Sequence, residues 1–302
     1  MKEVGKKELF GTILILLTAI ISGFSIIANK FFVVSIDPLL FTALRAFFIG
    51  LIFFAISFYF SQKHKEKFKK TSWSILLLIG IIGGGLAFWL FFSGLSMTLG
   101  GRAAFLHKTL PIYATILAFI FLKEKITKKQ LIAMGIMLFG LVLMELTKIS
   151  NEIKIGDFLV LSATILWAVE NVISKKAMLN KESNWVVTFS RMFFGSLFLF
   201  GIIILTGKIN LILSLTSQQL IYIGVSGFLL FLYVLTWYWG LKYINLSKAS
   251  TILLLSPVIS LILGILWLNE QVSTIQLIGS TIILIGAYLI ISTKSEKRIK
   301  EV

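Results

Sequence analysis

The sequence predicts an all-α integral membrane protein: ten transmembrane helices arranged as two inverted five-helix repeats. Three observations carry that prediction. Apolar runs of about 20 residues recur, long enough to cross a hydrocarbon core of about 30 Å. The composition agrees, with 58% hydrophobic residues and a mean hydropathy of +0.97. Residues 94–140 align with 240–286 at a constant offset of 146 without a gap, and fourteen of those 47 positions are identical. Finally, lysine and arginine fall mostly on one side of the ten runs, as the positive-inside rule requires.

The elements follow in order. Span 1 (9–29) is an apolar run too long for the core of a cleavable leader, and no clear cleavage site follows it. Span 2 (39–60) holds Arg45, roughly 9 Å inside it at 1.5 Å per residue. Span 3 (74–97) carries Gly83, Gly84 and Gly85, read as a close helix contact with a ligand-binding break as the alternative. It also carries Phe88, Trp89, Phe91 and Phe92. Span 4 (101–121) follows almost at once, so the two must be antiparallel neighbours; it contains His107, Lys108 and Pro111 and ends near Glu124. Span 5 (130–147) completes the first copy, residues 1–147. The second copy, 148–302, starts with span 6 (156–177), which holds Trp167, Glu170 and Asn171. Span 7 (185–206) holds Arg191 where the first copy has Arg45. Span 8 (218–240) ends on Trp237, Tyr238 and Trp239. Span 9 (248–268) carries Pro257 with Glu270 beyond it, and span 10 (275–292) ends the second copy.

With the N-terminus in the cytoplasm, twenty-one of the 29 Lys and Arg residues lie inside, five outside and three within spans. Both termini are therefore expected in the cytoplasm, in a multi-pass protein of the cytoplasmic membrane. The net charge of +16 is a topology signal that can touch anionic lipid headgroups, and nucleic acid is not an expected partner. Five spans per copy is an odd number, so the second copy enters the membrane from the opposite side. Such inverted repeats supply two mirror-related conformations around a site near the midplane. There is no cysteine, only two histidines (His64 and His107), and neither an HExxH nor a GxxxxGK[ST] motif. No metal, cofactor or direct use of ATP is expected, and neither is enzymatic chemistry.

Particular stretches resemble a known family. Gly101-Arg-Ala-Ala-Phe-Leu-His-Lys-Thr-Leu-Pro111, continued by Phe121-Leu-Lys-Glu-Lys125 and Gln130-Leu-Ile, is similar to the EamA-type repeat of the drug/metabolite transporter superfamily. So is Ser247-Lys-Ala-Ser-Thr-Ile-Leu-Leu-Leu-Ser-Pro257, continued by Trp267-Leu-Asn-Glu270 and Gln276-Leu-Ile-Gly279, and so is Ala43-Leu-Arg45-Ala-Phe-Phe in span 2. The resemblance covers nearly the whole chain. It implies a ten-helix basket with a central cavity. It also implies a role in moving small molecules, since members export amino acids, other metabolites and drugs, and relatives carry sugar nucleotides.

Residues shared by both copies are read as scaffold, and polar residues found in one copy as ligand candidates. His107 and Lys108 face Leu253 and Leu254 in the alignment; Glu170 and Asn171 face Phe24 and Ser25. An ionised lysine at mid-depth costs several kcal/mol, so Lys108 should face a cavity or a carboxylate, where it could bind a substrate carboxylate or phosphate. His107 belongs to the residue type that titrates near neutral pH and could couple transport to protons. Consecutive helical positions point about 100° apart, so one of the two should face the cavity centre. Glu170 shares a depth with Arg191. An ion pair between them is the preferred reading; contact with a cationic group or a proton is the alternative. Arg45 and Arg191 could also snorkel to the interface. Trp167, Trp89, Trp237 and Tyr238 are candidates for an aromatic cavity wall, against helix packing. Pro111 and Pro257 should kink spans 4 and 9, beside the substrate path or as packing features. Glu124 and Glu270 are read as loop anchors or caps, with gating as the alternative.

Taken together, these features predict a secondary transporter, an exporter of small organic metabolites such as amino acids or related compounds, working by alternating access. A multidrug or organic-cation exporter is the alternative, and a channel or lipid-flipping protein ranks below it. The expected partners are a small-molecule substrate and membrane lipid. Proton coupling is left open, and a monomer or weak homodimer is expected.

Overall fold

A computed structural model describes residues 2–32, 36–64, 72–98, 100–145 and 153–293. The apolar runs fold into ten rods: α1 (Lys2–Phe32), α2 (Pro38–His64), α3 (Trp73–Ser96), α4 (Gly100–His107 continued by Leu110–Leu122), α5 (Lys128–Glu145), α6 (Ile155–Leu179), α7 (Asn184–Leu205), α8 (Ser217–Tyr243), α9 (Leu246–Leu268) and α10 (Thr274–Ile291). Among the described residues, nine of these are long and apolar enough to cross a membrane. The exception is α5, with 18 residues that include Lys128 and Lys129 at one end and Glu145 at the other. It packs on α10. The expected boundary between residues 147 and 148 lies outside the described residues.

Local chemistry explains where the rods start and stop. All three prolines stand at helix starts, where a missing N–H leaves no intrahelical bond unmade. Asp37 caps α2 just ahead of Pro38, accepting the N–H groups of Leu39 (3.0 Å) and Leu40 (3.2 Å). The repeat extends to backbone detail. Lys123 and Asn269, 146 residues apart, both adopt the left-handed conformation that ends a helix (φ 54° and 51°). Just beyond them, Thr127 with Gln130 and Ser273 with Gln276 form matching capping boxes that start α5 and α10. The Gln130/Gln276 identity is therefore a helix-start signal.

The inversion is visible in the helix pairs. α2 packs on α7 with Phe47 against Phe200, Phe54 against Phe189 and Phe60 against Trp185, so the two run antiparallel although they hold the same place in their copies. α5 and α10 do likewise, with a glycine contact at Gly140 and Gly279 and another at Met137 and Gly286. The first helix of each copy belongs to the other: α1 packs on α8 and α9, and α6 packs on α3 and α4. Gly240 and Gly94, identical in the alignment, sit at those two contacts; a Cβ on Gly240 would meet Ile15, and one on Gly94 would meet Gly156 and Val160. Around the outside, large apolar side chains such as Ile155, Leu205, Leu266 and Tyr288 are exposed in a belt suited to acyl chains.

The triple glycine lies in a π-helical stretch, Gly80–Leu86. A Cβ on Gly84 would overlap the Arg191 carbonyl, and one on Gly83 the Glu170 side chain. These glycines thus bring α3 against α7 and α6. The wider winding also leaves a carbonyl for the Trp167 indole, which donates to Gly83 at 2.9 Å.

Candidate functional site

A cavity of about 500 Å³ lies between the two copies. Eight rods line it, with α5 and α10 excluded. α2 and α7 take part through Phe41, Arg45, Arg191 and Met192. One wall is aromatic. Phe88, Phe91, Phe92 and Leu95 fall on one face of α3 at helical spacing and meet Trp167, whose ring centre lies 5.1 Å from that of Phe88 and 5.4 Å from that of Phe91. Trp89 lies off that face, 36% exposed on the outside of the bundle, and does not line the cavity.

His107 and Lys108 both line it. The expectation that only one would do so assumed a continuous helix. α4 is interrupted after His107, and Lys108 and Thr109 form a turn before the helix resumes at Leu110. That turn re-aims the lysine, whose ammonium donates to the Ser256 hydroxyl on α9 at 2.7 Å. The His107 ring packs edge-on to Trp167 at 4.7 Å, and its Nδ1 is buried without a partner. Pro111, the second residue of the resumed helix, lines the cavity. Pro257 takes the same place after a 3₁₀ turn in α9 but stays outside the lining.

The cavity floor is a hydrogen-bonded layer. Asn171 accepts the Trp237 indole N–H at 2.9 Å and donates to the Trp167 carbonyl at 2.8 Å. Behind it Glu170 is fully buried and does not face the cavity. Its carboxylate lies 3.2 Å from the Arg191 guanidinium and accepts the Tyr238 hydroxyl at 2.6 Å and the Ser174 hydroxyl. Arg191 also donates to the Tyr238 oxygen at 2.9 Å. Neither Arg45 nor Arg191 snorkels; they are 7% and 8% exposed and turn inward.

The cavity draws on the C-terminal halves of α1 and α3 and the N-terminal parts of α2 and α4, so its mouth lies on the side of the bundle opposite the N-terminus. On the N-terminal side the path is closed. Residues 246–255 of α9 are all buried, whereas the matching stretch of α4 is partly open. Glu124 caps α9 from the other copy, accepting the N–H groups of Leu246 (2.8 Å) and Ser247 (3.3 Å), and pairs with Lys175 at 2.9 Å. Burial alone would raise the Glu124 carboxyl; the Lys175 ammonium and the two N–H groups outweigh it and hold the group below its ordinary value. Glu270 stays half-buried, with its carboxylate over Gly264 in the last turns of α9.

Two further ion pairs escaped the sequence reading, which saw only topology charges in them. Arg102 and Lys248 hold equivalent positions at the starts of α4 and α9. Arg102 meets Asp157 of α6 at 3.0 Å, and Lys248 meets Glu8 of α1 at 3.0 Å. Each thus ties a broken helix to the first helix of the other copy. The repeat offset could have flagged the basic pair, but the acidic partners do not obey it.

The profile of the EamA-like transporter family matches the chain twice, over residues 9–146 and 154–292. An uncharacterized transporter, YoaV, of Bacillus subtilis (strain 168) is 26% identical over 295 residues, covering 94% of this chain and 98% of the relative. A probable amino-acid metabolite efflux pump of Escherichia coli (strain K12) is 25% identical over 289 residues, covering 92% and 93%. One solved crystal structure superimposes with a TM-score of 0.75 at 18% identity, covering 92% of this chain and 96% of that one, a likeness of fold.

Proposed function

Because the chain belongs to the EamA-like transporter family, and so is a multi-pass membrane transporter, we propose that it is a secondary carrier exporting small organic metabolites, amino acids or related compounds, across the cytoplasmic membrane. The observation that carries this reading is the single-sided cavity between two inverted copies, closed on one face by a buried α9 and open on the other beside α4. Exchanging the environments of α4 and α9 would yield the mirror state, which is the logic of alternating access. With both termini in the cytoplasm, as the lysine and arginine bias supports, the cavity described here faces outward. The lining suits a metabolite with a polar head and an apolar body: Lys108, His107 and Asn171 for the head, and Trp167, Trp237 and the phenylalanines of α3 for the body. The organic-cation alternative finds no support there, since no Asp or Glu is among the described lining residues. Uniport and proton exchange both fit this cavity.

Counterflow into proteoliposomes tests the reading, with labelled amino acids, organic acids, nucleosides and organic cations at two internal pH values. Saturable exchange stimulated by unlabelled substrate on the far side is the expected result. Flux that neither saturates nor shows trans-stimulation would replace the carrier with a channel.

A further inference from the structure

Among the described residues Arg45 has no counter-charge. Its repeat equivalent, Arg191, is neutralised by Glu170, but the first copy has Phe24 at the position of that glutamate. Among the described residues Arg45 makes no ion pair. One of its amino groups donates to the Ser226 hydroxyl at 2.7 Å, and Ser226 donates in turn to Asn29 at 2.6 Å. The Phe41 ring lies 4.2 Å from the guanidinium carbon, a cation–π contact. A guanidinium carries five N–H donors, and the buried Nε of Arg45 has no acceptor. This cation is 93% buried yet lines the cavity, held in place by neutral groups from α1 and α8. Lys108, the other cation without a carboxylate in the lining, is likewise held by a hydroxyl. Among the described residues the cavity therefore presents two uncompensated positive charges and no negative one. An ionised side chain inside a membrane protein is retained where it is paired or functional.

We propose that Arg45, positioned by Ser226 and Asn29, is a binding site for an oxyanion group of the transported molecule, and that the substrates are the acidic members of the metabolite class named above. The guanidinium fork offers parallel N–H donors to a carboxylate or a phosphate. Lys108 takes a second acidic group or a carbonyl. An α-ammonium group would find only hydroxyls, amide oxygens and ring faces, so a substrate with an excess of negative charge fits better than a neutral zwitterion. The proposal rests on the carrier reading, and the experiment separates the two.

The test is counterflow with purified wild type, Arg45→Gln, Arg45→Lys and Ser226→Asp, using labelled mono- and dicarboxylates, phosphomonoesters, acidic and neutral amino acids, and organic cations. Wild type should exchange acidic compounds. Arg45→Gln should raise their half-saturation concentration on the order of tenfold or more, the effect of losing a charge-assisted contact. Arg45→Lys should recover part of it. Ser226→Asp places a carboxylate beside the guanidinium and keeps the site folded as an ion pair. It should weaken acidic substrates as Arg45→Gln does, which keeps the test decisive if Arg45→Gln fails to fold. Preference among the acidic probes separates a carboxylate from a phosphate. If wild type exchanges only neutral or cationic compounds, or if Ser226→Asp leaves the acidic ones unaffected, the Arg45 site is refuted and the carrier stands. Silence of wild type across the whole panel overturns both.

Discussion

Glu170 and Arg191 show how single residues hold the floor of the cavity. The carboxylate is 0% exposed and the guanidinium 3.2 Å away, with Tyr238 bonded to both. Removing one charge leaves the other buried and unmatched, which costs about 3–5 kcal/mol. Glu170→Gln should therefore lower thermal stability in detergent strongly, and the double variant Glu170→Gln/Arg191→Gln should regain a large part of the loss; a double-variant loss equal to the sum of the two single losses would mean the pair contributes nothing. Lys108 lines the cavity from α4. Lys108→Ala should cut transport at least tenfold while expression and melting temperature hold, since its side chain bonds a neutral hydroxyl and, among the described residues, no carboxylate; near-normal kinetics would remove it from the mechanism. Sequence alone could pair Glu170 with Arg191, because the connection between their helices is short and the two share a depth. It could not join Arg45 to Ser226, 181 residues away, because nothing in the local pattern specifies which face of α8 meets α2.

At the scale of elements, the broken helices α4 and α9 are the features the sequence marked and did not resolve. Pro111 and Pro257 signalled an interruption. That each would start a new segment, freeing Lys108 from helical geometry, required the structure. Likewise Glu124 read as an anchor, but its role as cap of a helix in the other copy depends on a contact across 122 residues. That cap makes a pH prediction. The Glu124 carboxyl is depressed, so its stabilisation is fully present above the ordinary value of 4.5 and is lost as pH falls through the lower folded value. The melting-temperature gap between wild type and Glu124→Gln should be large at pH 7 and shrink progressively below about pH 4.5. A gap constant across that window would mean the carboxylate is not held as an ion. The 18-residue α5 was legible as an apolar run; its shortness as a span follows from charges at both ends.

For the whole molecule, the offset of 146 residues made the two copies legible, and the odd number of rods made their inversion a matter of counting. Which face is open was not legible, because both copies carry the same order of apolar helices and only packing distinguishes a partly exposed α4 from a buried α9. The absence of cysteine offers a clean measurement. In intact cells, a single cysteine at Ala104 should react with a membrane-impermeant thiol reagent, and one at Ser250, buried at 0% exposure, should not. The opposite pattern would invert the assigned orientation or the assigned state.

The exchange of first helices between the copies also shapes how the chain is made. Synthesis runs from the N-terminus, so α1 is made before α8 and α9, its main neighbours. Thr18 meets Thr236 only after another 218 residues have been added. Until then the contacts that cover the interior face of α1 are not available to it. A helix made early is thus completed only by partners made late, and closure of the bundle waits on α8 and α9.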